Sequence, residues 1–233
     1  YVELLMDKGA TTRSKMIATI VQADSVFLSE GKNLLIEEFG KDYGIYFSIL
    51  TAIASGHTQR SQIEDMIGKE IGGYLTMLED SYGIIHKHKP LFTIKNSNIH
   101  YRLNDNFLTF WFRFLFKYNH MLEIEAFDAL RQIIERDYET FSGKMLEQYF
   151  KEKLAEQQQF TRIDSWWSRN GESEIDIIAI NEINKEAIFY EVKRQSKDID
   201  LSLLEQRSKD FLVATRQLKR YAISHYGLSM QDM

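Results

Sequence analysis

The chain has no cysteine among its 233 residues, which excludes disulfides, thiolate metal sites and cysteine nucleophiles. It has one proline, Pro90, so element boundaries must be read from hydrophobic pattern rather than from breakers. It lacks a GxxxxGK(S/T) phosphate loop, so ATP hydrolysis is not expected of it. No basic start followed by an apolar run opens it, so no secretory signal is read, and a first residue that is not Met suggests a piece of something longer. Long hydrophobic runs are missing too. The most apolar stretch, "FLTFWFRFLF" from Phe107 to Phe116, is shorter than the roughly 20 residues a bilayer requires, and Arg113 interrupts it. A soluble cytoplasmic protein with no membrane partner is expected. A net charge of -5 argues against a generic polyanion binder and leaves a local basic patch open.

What is present suits a globular chain. Apolar residues make up 44% and charged residues 27%, enough to bury a core in one large domain or two to three small ones. Residues 1–39 read as a helical segment broken at "SEGKN". Residues 40–104 read as three short helices and a hairpin. "YFSILTAIASG" has helical spacing and a stop at Gly56, and "SQIEDMIG" opens on a capping box of Ser61 and Glu64, with Ile63, Met66 and Ile67 as its apolar face. "IGGYLTMLEDSYG" places Ile71, Tyr74, Leu75 and Leu78 on one stripe. "GIIHKHKP" and "NIHYRL" alternate as two strands. This is the pattern of a winged helix-turn-helix. Residues 105–135 form a helical bridge, and residues 136–233 read as helix, strand, strand, strand, helix, strand. The fold class is therefore α/β, an α+β mixed sheet with helices against it.

The chemistry gathers in "SEIDIIAINEINKEAIFYEVKR", Ser173 to Arg194. Alternation places Ile175, Ile177 and Ala179 on one face of the first strand and Asp176 on the other; Glu191 and Lys193 share a face in the second strand. Aligned in a hairpin, two acids at partly buried positions repel unless a cation lies between them, and hard oxygen ligands suit Mg²⁺ or Mn²⁺. Upstream, "FSGKMLEQYFKEKL" shows an apolar face of Phe141, Met145, Tyr149 and Phe150, with Glu147 at its edge as a third acid. Glu172 and Glu174 share the face of Asp176; either could serve as a ligand, and a rim acid is the favoured reading for both. Trp166 and Trp167 read as packing rather than as a base-stacking platform.

A glutamate in a first helix, an aspartate in a strand and "EVK" in the next strand resemble the PD-(D/E)XK nuclease superfamily, as does the αβββαβ element order. The resemblance covers about the last hundred residues, with "EID" where that family often has proline. It implies that Asp176 and Glu191 are metal ligands helped by the Val192 carbonyl, that Lys193 is the catalytic lysine, and that Glu147 is an accessory acid. A wider resemblance, carried by "SILTAIASG", "YLTMLEDSYGII", "YRLNDNFLTFWFRF", "WWSRNGESEIDIIAI" and "FYEVKR", is to the C-terminal half of a prokaryotic AAA+ ATPase family with a winged helix and a nuclease-like C-terminal domain. It implies that residues 1–39 are the end of the ATPase lid. It also implies that an N-terminal ATPase domain of the same protein is a partner, the only route by which ATP would enter.

Nucleic-acid contacts are expected from the wing, where Lys87, Lys89, Lys95 and Arg102 lie in a stretch without an acid, and from Arg169 in the loop between two strands. The helix before the wing, with Gly72, Gly73, Glu70, Glu79 and Asp80, is a poor reader of base edges. The alternative for the wing is a solvated face on a protein-binding domain. The six histidines show no metal spacing and read mostly as surface residues. The expected function is Mg²⁺-dependent hydrolysis of nucleic acid, DNA foremost; the rival is a non-catalytic DNA- or protein-binding module that regulates the attached ATPase.

Overall fold

The computed structural model describes residues 1–93, 98–169 and 171–233. The chain is a mixed α/β protein whose contacts divide it into two units: Tyr1–His88 with Ile99–Tyr138, and Lys89–Asn98 with Glu139–Met233. No helix among the described residues is long and apolar enough to cross a membrane.

In the first unit α1 (Val2–Asp7), α2 (Arg13–Ile20) and α3 (Val26–Phe39) come first. The break expected at "SEGKN" is absent, because α3 runs through it. Gly31 is a contact point rather than a stop: a Cβ there would lie 2.3 Å from the Trp111 ring. α4 (Tyr43–Ala54) and α5 (Arg60–Ile67) follow. The cap of α5 is Gln59 with Gln62, not Ser61 with Glu64. Glu64 is engaged elsewhere, accepting the Ile71 N–H at 3.0 Å and pairing with Arg60 at 2.7 Å. Ile63 is buried as expected from its spacing, but Met66 is 57% exposed. α6 (Gly72–Thr76) passes into a π-helical turn at Met77–Ser81 and buries Ile71, Leu75 and Leu78.

β1 (Ile85–His88) and β2 (His100–Leu103) pair antiparallel, Ile85 opposite Leu103. β2 is tied to the α4–α5 turn by Tyr101 N–H to Thr58 O at 2.8 Å and by Thr58 Oγ1 to His100 Nδ1 at 2.6 Å. Three helices and a two-stranded ribbon thus make a winged helix. α7 (Asn106–Phe110) continues as a π-helical stretch, Trp111–Phe116, followed by α8 (Asn119–Glu123). Phe47 of α4 meets Phe112 and Phe116 edge-on at 5.3 and 5.1 Å, which anchors this apolar stretch in the core.

α9 (Phe127–Glu156) is one 30-residue helix, so the boundary expected at 135/136 falls within a continuous element. In the second unit it covers one face of a four-stranded sheet, β3 (Arg162–Trp167), β4 (Glu174–Asn181), β5 (Glu186–Val192) and β6 (Ala222–Leu228), in that spatial order. The β3–β4 and β4–β5 pairs are antiparallel and the β5–β6 pair is parallel. A parallel neighbour needs a crossover, and α10 (Leu201–Thr215) supplies it. Leu146, Phe150 and Leu154 of α9 pack on Ile177, Ala179, Tyr190 and Val192. Leu204 and Phe211 of α10 pack on the other face with Trp166, Ile175, Ile178 and Phe189. The buried stripe of α9 is therefore not the expected Phe141, Met145, Tyr149 and Phe150; of these only Phe150 is fully buried.

Candidate metal centre

The site begins with a break in alternation. On β3–β4, Trp166 pairs with Ile175 and Asp164 with Ile178, so two steps of β3 oppose three of β4. Such a bulge adds one residue to β4 and flips everything before it relative to everything after. Ile175 consequently packs with Ile178 on the α10 side, while Ile177 and Ala179 face α9. The expectation that Ile175, Ile177 and Ala179 share a face is corrected. Asp176 and Glu174 instead come round to the α9 side.

Ser165 sits opposite the bulge and is 1% exposed. Its hydroxyl donates to the Asp176 carbonyl at 2.8 Å and accepts from Lys151 Nζ at 2.6 Å. The Asp176 carboxylate accepts the Val192 N–H at 2.8 Å, a side chain taking a backbone donor near the end of the β4–β5 ladder.

Three carboxylates meet there. Glu147, Glu174 and Asp176 each offer an oxygen, all within 4.8 Å of one another. Glu147 is 7% exposed and hangs from α9 beside the buried Leu146. Burial pushes its carboxyl above the ordinary value; Lys144 opposes the shift, and the nearby Asp176 and Glu174 add to it. Burial also raises Asp176, against the lowering effects of the Val192 N–H and of Lys193. Lys144 Nζ lies 3.1 Å from Glu147 and 3.2 Å from Glu174 and bridges the two.

Glu191 stands apart from this trio. It shares a face with Phe189 on β5, whose ring belongs to the α10-side core. Its Oε2 accepts the Asp200 N–H at 2.8 Å; its Oε1 lies 3.1 Å from Lys193 and 3.8 Å from Arg207 of α10. Asp176 and Glu191 therefore do not line up on one face. Lys193 connects them, its Nζ also lying 4.0 Å from Asp176 Oδ2. Val192 N–H is bound to Asp176, and the strand goes on to pair with Leu228 of β6.

Alternation sets Glu174 on the face of Asp176, where a rim position is favoured over a ligand role; the bulge turns both towards Glu147, and no sequence signal marks that bulge. Lys144 and Arg207 were not singled out either. A lysine three residues before Glu147 is the one available hint for the first, since i and i+3 face each other on a helix.

Among the expected nucleic-acid contacts, Lys87 in the first unit is ion-paired with Glu79, and Arg102 is half-buried on β2. Lys89 and Arg169 belong to the second unit. Lys95 lies outside the described residues. Residues 89–91 do not behave as a free wing tip, because the Leu91 N–H donates to Ser165 O at 2.9 Å and Leu91 joins the α10-side core. Trp166 and Trp167 are buried, 6% and 7% exposed. His88 is buried as well, an exception to the surface role expected of most histidines.

Residues 111–211 match the family model DUF234, described as archaeal and bacterial proteins of unknown function. That stretch contains Glu147, Asp176, Glu191 and Lys193. The chain is 33% identical over 194 residues to an uncharacterized protein of Methanocaldococcus jannaschii, an alignment covering 78% of this chain and 43% of that protein. The chain thus spans less than half the length of this relative. No solved structure matches.

Proposed function

We propose that the second unit hydrolyses phosphodiester bonds of nucleic acid, DNA foremost, with Mg²⁺ or Mn²⁺ as its cofactor. The observation that carries this reading is the meeting of Glu147, Glu174 and Asp176 within 4.8 Å, next to Lys193. Three hard oxygen donors, two of them with raised pKa values, form a set whose repulsion a divalent cation relieves. Glu147, Glu174 and Asp176 would hold it. Bound there, the ion supplies Lewis acidity towards a phosphoryl oxygen and makes water a better nucleophile.

The remaining chemistry belongs to the chain. Lys193 orients the attacking water or balances charge on the phosphate. Glu191 keeps the Lys193 ammonium next to Asp176, and is itself fixed by the Asp200 N–H and Arg207. The Val192 N–H and the Ser165 hydroxyl hold Asp176 at both its carboxylate and its carbonyl. An attached N-terminal ATPase domain would act on DNA, and Lys87 and Arg102 in the first unit and Lys89 and Arg169 in the second would each add phosphate contacts within their own unit.

One observation favours a second reading. Lys144, Lys193 and Arg207 already neutralise the acids without a metal. Such a network suits a non-catalytic module that regulates the attached ATPase. Incubation with labelled single-stranded, duplex and branched DNA in Mn²⁺ and in Mg²⁺, beside Lys193→Ala, separates the two. Metal-dependent cleavage that vanishes in the variant supports hydrolysis. Absence of cleavage together with absence of Mn²⁺ uptake by calorimetry selects the regulatory module.

A further inference from the structure

On the α10 side of the same unit a cleft of about 430 Å³ opens between the β3–β4 turn and α10. Its volume is that of a small-ligand pocket and far too small for a duplex. Trp166 and Leu203 give it apolar wall, while Arg169, Arg207, Glu172 and Asp210 surround it with donors and acceptors. The ends of the turn are tied by Ser168 N–H to Ser173 O at 2.8 Å and by Ser173 N–H to Ser168 Oγ at 3.0 Å, and Arg169 beside this tie is exposed.

Two observations point to an occupant. Ser173 is buried, 9% exposed, and borders the cleft, and its hydroxyl has no hydrogen-bond partner among the described residues. A buried hydroxyl left unpaired is unfavourable, so a ligand that bonds it binds more tightly. Arg207 is shared: it borders the cleft and lies 3.8 Å from Glu191 in the candidate centre. Ser173 is likewise next in sequence to Glu174 of the acid cluster.

We propose that this cleft receives one unpaired nucleotide of the strand whose phosphate is presented to Glu147, Glu174 and Asp176. The inference rests on the phosphodiester reading and gives that site its substrate form. A flat heterocycle with donors and acceptors on its edge matches apolar walls rimmed by carboxylates and guanidinium groups. A base still paired in a duplex cannot present that edge, so the substrate is single-stranded or frayed at the point of cleavage.

The test is binding in EDTA, read by fluorescence anisotropy of labelled oligonucleotides with the full chain. A single-stranded hexanucleotide should bind at least tenfold more tightly than a blunt duplex of the same sequence. Free nucleoside monophosphates should compete only weakly, which separates a strand from a small-molecule effector. Ala214→Leu narrows the cleft from an exposed position of α10 and should weaken single-strand binding at least tenfold, with the melting temperature and Mn²⁺ affinity unchanged. Gln206→Ala, a milder change in the lining, should weaken it severalfold. Equal affinity for duplex and single strand, or full binding by both variants, overturns the proposal. Monophosphates competing as strongly as the strand also overturn it, in favour of a free nucleotide. Single-strand binding lost in Ala214→Leu, with no Mn²⁺ uptake by the parent, refutes the metal reading and leaves the cleft assignment standing.

Discussion

Asp176→Asn removes one charge from the cluster and keeps an oxygen that can accept the Val192 N–H. Its effect without metal follows from two opposing interactions. Glu147 and Asp176 have oxygens within 4.8 Å, a repulsion of about 3.5 kcal/mol at an effective dielectric of about 20. Lys193 at 4.0 Å from Asp176 returns up to about 4 kcal/mol in the same medium, reduced by solvent because its side chain is 37% exposed. The two nearly cancel, and the relieved desolvation of Asp176 tips the balance towards the amide. In EDTA the variant should therefore range from equally stable to about 2 kcal/mol more stable than the parent. With metal the order reverses. Mn²⁺ at a hundred times its dissociation constant should stabilise the parent by about 2.7 kcal/mol. For a chain of this size that is a rise in Tm of about 5–11 °C, and the variant should lose it. Differential scanning calorimetry in EDTA and at rising Mn²⁺ reads both effects. An Asn variant that keeps the parent's Mn²⁺ shift would refute Asp176 as a ligand; a variant several kcal/mol less stable in EDTA would refute the view of the cluster as strained.

Glu174→Gln and Glu191→Gln should part company: the first weakens Mn²⁺ binding by at least about tenfold, whereas the second leaves it within about threefold and slows cleavage by roughly a hundredfold through Lys193. Equal losses of Mn²⁺ affinity by calorimetry would return Glu191 to the ligand set. Glu147 and Asp176 both have raised folded-state pKa values, so the folded chain keeps protons that the unfolded chain releases. Their contribution is stabilising below the ordinary carboxyl values near about 4 and is lost as pH rises through the raised folded values. The double variant Glu147→Gln/Asp176→Asn should therefore gain stability over the parent as pH rises above about 4 in urea titrations with EDTA, and parallel profiles would contradict this. Gly31→Ala should cost about 1–3 kcal/mol despite alanine's better helix propensity, since the added carbon meets the Trp111 ring at 2.3 Å. A thermal melt that rises would show that Trp111 can move aside.

Much of the architecture was legible because it rests on pattern. The stripe Ile71, Leu75, Leu78 and the alternation of β4 and β5 follow from periods that burial enforces. Asp176, Glu191 and Lys193 were legible as charges in apolar strands, and Glu147 as an acid beside an apolar helix face. What could not be read was tertiary. Gly31 resembles a helix break in sequence and is a seat for Trp111, which lies eighty residues further on. Gln59 rather than Ser61 caps α5 because Glu64 is drawn off by the Ile71 N–H and Arg60. The bulge opposite Ser165 leaves no mark, yet it decides the site. Strict alternation sets Glu174 on the face of Asp176 and aligns Asp176 with Glu191. One inserted residue turns Glu174 and Asp176 towards Glu147, leaving Glu191 to Lys193 and Arg207 on the other side. Holding that extra residue costs one ladder position, and Ser165, Lys151 and the Val192 N–H offset it with hydrogen bonds to Asp176 or to its partner. Ser165→Ala therefore ought to loosen the carboxylate trio before it loosens the sheet, because its bond ends on the Asp176 carbonyl while the core residues on either side, Ile177 and Ile178, stay buried without it.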